Sequence, residues 1–147
     1  ARRGPAEVVL APVTRENVRA VCDLALADGQ RHLVAPAAYT VAEGHYEPGA
    51  VLRAICHRGE VVGVLLVEVD TGTPYLVRFM VDAGHQGRGI GRLAVDLLAA
   101  ELARSGWTAL ETSYVPVAGG ADGFWRRCGF HATGREIHGE PLLRREL

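Results

Sequence analysis

One stretch of this chain constrains its fold more than any other: Arg78-Phe-Met-Val-Asp-Ala-Gly-His-Gln-Gly-Arg-Gly-Ile-Gly-Arg92. A strand-like apolar run, Tyr75–Asp82, ends here, and glycines then alternate at 87, 89 and 91. A helical stripe follows, with Ile90, Leu93, Ala94, Leu97, Leu98 and Leu102 spaced i, i+3, i+4, i+7. A strand that runs through a glycine loop into a helix sets unpaired N–H groups beside backbone without a Cβ. The helix N-terminus adds partial positive charge, so the loop suits an anion, above all a pyrophosphate. Arg88 and Arg92 are placed to reach phosphates as well. The spacing is G-x-G-x-G, not the G-x-G-x-x-G of a dinucleotide-binding unit, and no Gly-Lys-Ser/Thr marks a P-loop.

The flanking pattern predicts an α+β domain with one mixed sheet. Val8–Val13 reads as a first strand, and Thr14 as the cap of a helix running to about residue 27, closed by Asp28-Gly29. Thr40-Val-Ala-Glu43 has capping-box spacing for a short helix. Ala50–His57, Val61–Asp70 and Tyr75–Asp82 form an antiparallel meander, with Arg58-Gly59-Glu60 as its hairpin turn. The long helix stops at Ser105-Gly106, and Trp107–Tyr114 is a strand. Because a helix separates it from Tyr75–Asp82, those two strands are expected to run parallel. Asp122–Cys128 reads as a short helix. Phe130–Ile137 and Leu142–Leu147 close the chain as a hairpin across His138-Gly139-Glu140.

Composition narrows the function. The 147 residues suit a single domain, 1–147, and 48% hydrophobic residues can fill one core. A net charge of −1 argues against a nucleic-acid binder, which must neutralise phosphates with a basic face. Cys22, Cys56 and Cys128 have no C-x-x-C spacing, so no zinc site or disulfide framework is expected, and a cytoplasmic setting fits. Each reads more readily as a small buried hydrophobe than as a nucleophile. No metal site is expected. Nor is a membrane span, since no apolar run is long enough. Arg2-Arg3 leads into Gly-Pro, so no signal peptide is expected.

The spacing Gln86-x-x-Gly89-x-Gly91 resembles the cofactor signature of the GNAT superfamily of acetyl-CoA-dependent N-acetyltransferases. Phe79-Met-Val-Asp is similar to that family's fourth strand, and Phe124-Trp-Arg-Arg-Cys-Gly-Phe130 to its late L-Y-x-x-x-G-F segment. Gln30-x-x-x-x-Ala35-Pro36 and Thr133-Gly-Arg-x-x-x-Gly-Glu140 also resemble, more loosely, bacterial diamine and spermidine acetyltransferases. The resemblance implies a mixed, mostly antiparallel sheet of about seven strands with helices on both faces. It implies acetyl-CoA as co-substrate, with the fourth and fifth strands splayed around the pantetheine arm. Phe79, Met80 and Val81 would pair with that arm and aim an N–H at the thioester oxygen. Gln86, Gly87, Arg88, Gly89, Ile90, Gly91 and Arg92 would hold the pyrophosphate. Glu111 matches a position where some members carry the base for the amine. Tyr39, Glu43 and Tyr46 fall in a segment that borders the acceptor pocket in this family.

The late segment departs from the family in two respects, of which the first is an absent asparagine, replaced within Ala118-Gly-Gly120. Trp125 stands where a tyrosine usually protonates the departing thiolate, and indole is no general acid. Tyr114 is the nearest phenol that could substitute. Trp125 itself reads as a wall of the cofactor channel or as core. Glu111 reads equally as a solvent-facing strand residue, and Tyr39, Glu43 and Tyr46 as one face of a solvated helix. The expected activity is acetyl transfer to a primary amine of a small molecule by direct attack. The alternative is a GNAT-like module that binds CoA or an amine with little turnover. Exposed sheet edges would allow a homodimer.

Overall fold

The computed structural model describes residues 7–26, 36–70, 72–118 and 120–147. Its strands are β1 (Val8–Pro12), β2 (Ala50–His57), β3 (Glu60–Glu68), β4 (Tyr75–Val81), β5 (Ala109–Ser113), β6 (His131–Ile137) and β7 (Glu140–Glu146). Its helices are α1 (Val18–Cys22), α2 (Ala37–Tyr46), α3 (Ile90–Arg104) and α4 (Asp122–Arg127). The strands form one sheet in the order β1-β2-β3-β4-β5-β7-β6. Every neighbouring pair is antiparallel except β4 and β5, which run parallel as the intervening helix demands.

The two predicted hairpin turns are present. Arg58-Gly59 and His138-Gly139 both have positive φ at each residue, the combination whose twist matches the flanking strands. The interior strand β3 is buried on both faces. Leu65 and Val67 pack with Ile55, Leu98, Leu102 and Trp125 on one side, where α3 and α4 lie. Val64 packs with Val21, Ala37, Ala54 and Met80 on the other, under α1 and α2.

Two expectations need correction. The first helix is short, Val18–Cys22, with Asn17 rather than Thr14 at its N-cap. Instead of capping, Thr14 donates its own N–H to Asn17 Oδ1 at 2.7 Å. The chain leaves the helix because Asp82 captures it: Ala25 N–H donates to Asp82 Oδ1 at 2.8 Å, and Ala83 N–H to the Ala25 carbonyl at 2.8 Å. Tertiary hydrogen bonds here outcompete the next helical turn. The predicted stop at Asp28-Gly29, and the segment from Gln30 to Ala35, lie outside the described residues. The second correction concerns Thr40, which sits one turn inside α2, 1% exposed, with Oγ1 3.5 Å from the Pro36 carbonyl. Pro36 occupies the N-cap position instead. No helix among the described residues is long and apolar enough to cross a membrane.

Candidate active site

β4 and β5 begin together and then part. Their register covers only Tyr75 with Glu111 and Leu76 with Thr112. On the other edge of β4, the register with β3 slips between Leu66 and Val67, which leaves Val77 as an extra residue. Such a bulge bends its strand and increases the twist, here at the residue where β5 is lost. Thr112 Oγ1 donates to the Leu76 carbonyl at 2.9 Å and seals the vertex. Past it, the β5-facing main-chain groups of Val77–Val81 have no neighbouring strand among the described residues, although buried backbone polar groups need partners. A cleft of about 1160 Å³ fills the gap and passes through the sheet, with residues from both faces lining it.

On the α3 face the cleft meets the glycine loop. Gly89 is the N-cap of α3 at φ +78°, a left-handed conformation that a side chain would strain. The N–H groups of Ile90, Gly91 and Arg92 lie in the first turn, where a helix offers donors without internal acceptors. Gln86 braces the loop by donating to the Val81 carbonyl at 2.9 Å. Gly91 fits for a different reason: a Cβ there would lie 3.1 Å from the Phe124 ring, which would have to shift. That ring belongs to an aromatic wall. Phe79 and Trp125 have centroids 5.5 Å apart, Phe124 and Trp125 4.9 Å, and Trp125 and Phe130 5.4 Å.

On the α2 face the cleft is polar. Tyr75 Oη and Ser113 Oγ share a hydrogen bond, and Ser113 Oγ donates to Glu140 Oε1 at 2.8 Å. Burial is the main reason the Tyr75 phenol is raised above its ordinary range, with Ser113 opposing it. Arg78 Nη2 lies 3.6 Å from Glu43 Oε1, and its guanidinium carbon is 5.9 Å from the centre of the Tyr39 ring. Nearby, burial and then the charges of Glu43, Glu47 and Asp70 raise the Glu68 carboxyl. Cys128 also lines the cleft, and burial pushes its thiol up to about 11. At neutral pH it is a protonated thiol rather than a nucleophile.

The expected site residues divide clearly. Phe79, Met80, Val81, Gln86, Gly87, Gly89, Gly91, Arg92, Tyr114, Trp125 and Glu43 all line the cleft. Arg88 is exposed and the Ile90 side chain is in the core, and neither is among the residues that line the cleft. Tyr46 is 81% exposed, its ring edge-on to His45, and it stands away from the cleft. Glu111 is not in the lining either. Its Oε2 is held by Arg135 at 3.1 Å and Arg144 at 3.5 Å. Trp125 is both wall and core, with 6% of its surface exposed.

Sequence reasoning missed Tyr75, Ser113 and Glu140. They are scattered along the chain and carry no shared spacing. Only the adjacency of β4, β5 and β7 unites them. Among the described residues, no group of three His, Cys, Asp or Glu side chains could hold a metal ion.

The family model described as the acetyltransferase (GNAT) family matches residues 15–130, well over half of the chain. Comparison with curated proteins by sequence gives no match. Several solved structures share the fold at low identity. An acetyltransferase from Thermus thermophilus is 20% identical with a TM-score of 0.71, over 95% of this chain and 97% of that one. A PaiA N-acetyltransferase from Thermoplasma acidophilum, in complex with coenzyme A, is 7% identical with a TM-score of 0.72, over 95% and 99%. A GNAT family acetyltransferase from Elizabethkingia anophelis with acetyl-CoA bound is 15% identical with a TM-score of 0.69, over 96% and 99%.

Proposed function

This chain belongs to the GNAT acetyltransferase family, and on that premise we propose that it moves an acetyl group from acetyl-CoA to a primary amine of a small molecule, by direct attack and within one domain. The observation that carries this reading is the parting of β4 from β5 beside a glycine-led helix start. Acetyl-CoA brings an activated thioester. The main chain of Val77–Val81 offers hydrogen bonds along an extended arm, and an N–H from Phe79, Met80 or Val81 stabilises the oxyanion of the adduct. The first-turn N–H groups of α3, with the Arg92 side chain, hold the pyrophosphate. The wall of Phe79, Phe124 and Trp125 keeps water from the thioester.

The acceptor approaches from the α2 face. Glu43 lines that side, and its carboxylate neighbours Glu47, Glu68 and Asp70 favour a cationic amine. Arg78 is the cation within the group. Trp125 need not donate a proton, because a thiol with a reference pKa of about 8.5 leaves as the thiolate at little cost near neutral pH. Tyr114 lines the cleft from the α3 side, packed against the core there, and is the phenol placed to protonate the leaving sulfur. We assign Glu111 a structural role, tying β5 to Arg135 of β6 and Arg144 of β7. Three free thiols, two of them buried, suit a reducing cytoplasm.

The test is a panel of monoamines, diamines, amino sugars and peptide N-termini with acetyl-CoA, read as thiol release. We expect sustained turnover with at least one small cationic amine. Tight acetyl-CoA binding without turnover would instead make the protein a binding module. No affinity for acetyl-CoA would overturn the reading.

A further inference from the structure

The half-buried chain Tyr75–Ser113–Glu140 lies at the vertex where β4 and β5 part, and all three side chains line the cleft on the acceptor side. It is directional. Ser113 has one hydroxyl proton, which it donates to Glu140 Oε1 at 2.8 Å, so Tyr75 must be the donor to Ser113. Tyr75 Oη keeps a lone pair free to accept a proton from the cleft. The chain spans three strands and ends at the β6–β7 turn, where the Glu140 carboxylate is only partly buried. It therefore links a partly desolvated phenol to a group that can exchange protons with solvent.

We propose that Tyr75 takes the proton that an ammonium acceptor must lose before it attacks, and passes it through Ser113 to Glu140. This rests on the acetyl-transfer reading above. In the step, an N–H bond of the ammonium breaks and a bond forms to Tyr75 Oη. The Tyr75 proton moves to Ser113 Oγ, and the Ser113 proton to Glu140 Oε1. The neutral amine then attacks the thioester carbonyl, the C–S bond breaks with its electrons on sulfur, and the second proton ends on that sulfur. The products are amide, thiol and protonated Glu140, which returns its proton to solvent. Tyr75 accepts at the cleft, whereas Ser113 and Glu140 act through it and are positioning residues.

Other charges face Tyr75. Glu68 is opposite it on β3, Glu111 on β5, Arg78 follows on its own strand, and Glu140 comes from β7. Burial together with Glu140 and Glu68 keeps the phenol protonated, against the lowering effects of Ser113 and Arg78. A protonated phenol is the form that can relay in this direction.

The experiment is a pH–rate profile with an amine that the parent protein acetylates, run on Tyr75→Phe and Glu140→Gln, with acetyl-CoA affinity measured by calorimetry. Tyr75→Phe should lower kcat by about 100-fold at neutral pH with unchanged acetyl-CoA affinity. The loss should shrink as the pH rises and the free amine becomes neutral. Glu140→Gln, at a partly exposed hairpin, should lose about tenfold with the same pH trend. The double variant should be no worse than Tyr75→Phe, because a relay cut twice is still one relay. A loss equal at every pH would mean that Tyr75 only packs, and would overturn the relay. So would a wild-type profile in Tyr75→Phe, with the acetyltransferase reading intact. If the parent protein acetylates no amine in the panel, that reading fails and the relay with it.

Discussion

The two faces of the cleft are made of different materials. On the α3 face it is walled by rings and main chain: Phe79, Phe124, Trp125, and the glycine loop leading into α3. On the α2 face it is walled by side-chain hydroxyls and charges: Tyr75, Ser113, Glu140, Glu43 and Arg78. The first face is an extension of the core. Trp125 touches three other rings, and Ile90 of the helix start is 2% exposed. The second face is held by hydrogen bonds among side chains from three strands and by an ion pair from β4 to α2. An apolar, backbone-lined face suits a ligand bound the same way in every cycle. A polar face suits the step in which protons move. Damage to the first should therefore appear as lost affinity or stability, and damage to the second as lost turnover.

The strongest test of that division is Gly89→Val. A β-branched residue at φ +78° cannot hold the helix start in place, although a Cβ there would meet no protein atom within 4 Å. We expect acetyl-CoA affinity to fall by about 100-fold or more, with the fold retained by circular dichroism. Unchanged affinity by calorimetry would remove the loop from the cofactor site. Next in size is Trp125→Ala, which should cost about 3–5 kcal/mol in chemical denaturation, as expected for a large aromatic lost from a packed cluster. Trp125→Phe should keep kcat/KM close to wild type. A drop of about 100-fold in that variant, with affinity intact, would give the indole a direct part in the chemistry and blur the two faces.

Asp82 joins the glycine loop to the segment that carries Leu26 into the cleft. The hydrogen bond from Ala25 holds its carboxyl below the ordinary 3.8, with His85 helping. Because the folded value is depressed, the stabilisation is complete above pH 3.8 and is lost as the pH falls through the lower folded value. Asp82→Asn should therefore be less stable than wild type near neutrality by about 1 kcal/mol, one charge-assisted hydrogen bond at a partly exposed site. The gap should close in strong acid, as thermal melting across pH would record. The smallest effect belongs to Glu111→Gln. With Arg135 and Arg144 on its carboxylate, we expect kcat to stay within about threefold of wild type. A general base would lose about 100-fold. A loss of that size, shrinking at high pH, would return Glu111 to the proton path.

The legibility of these features in the sequence follows their range. Gly89 and the α3 stripe were readable because strand end, loop and helix start are consecutive, and local φ demands leave glycines behind. The turns at Arg58-Gly59 and His138-Gly139 were readable for the same reason. The local pattern overextends α1 because its competitor, the Asp82 carboxylate, is 57 residues away from Ala25. Thr40 matched a cap pattern, but Pro36 started the helix one turn earlier.

By itself the sequence determined the order of elements, the parallel β4–β5 pair and the glycine-led start of α3. Each follows from periodicity, turn chemistry or chain connectivity within a short window. Only the tertiary structure decided that Glu111 faces two arginines, that Gly91 yields space to the Phe124 ring, and that Tyr75, Ser113 and Glu140 form one chain. Those contacts depend on which strands become neighbours and on where a bulge turns β4 away from β5. Strand order and register come from packing the whole sheet between two layers of helix, so no local run of residues records them.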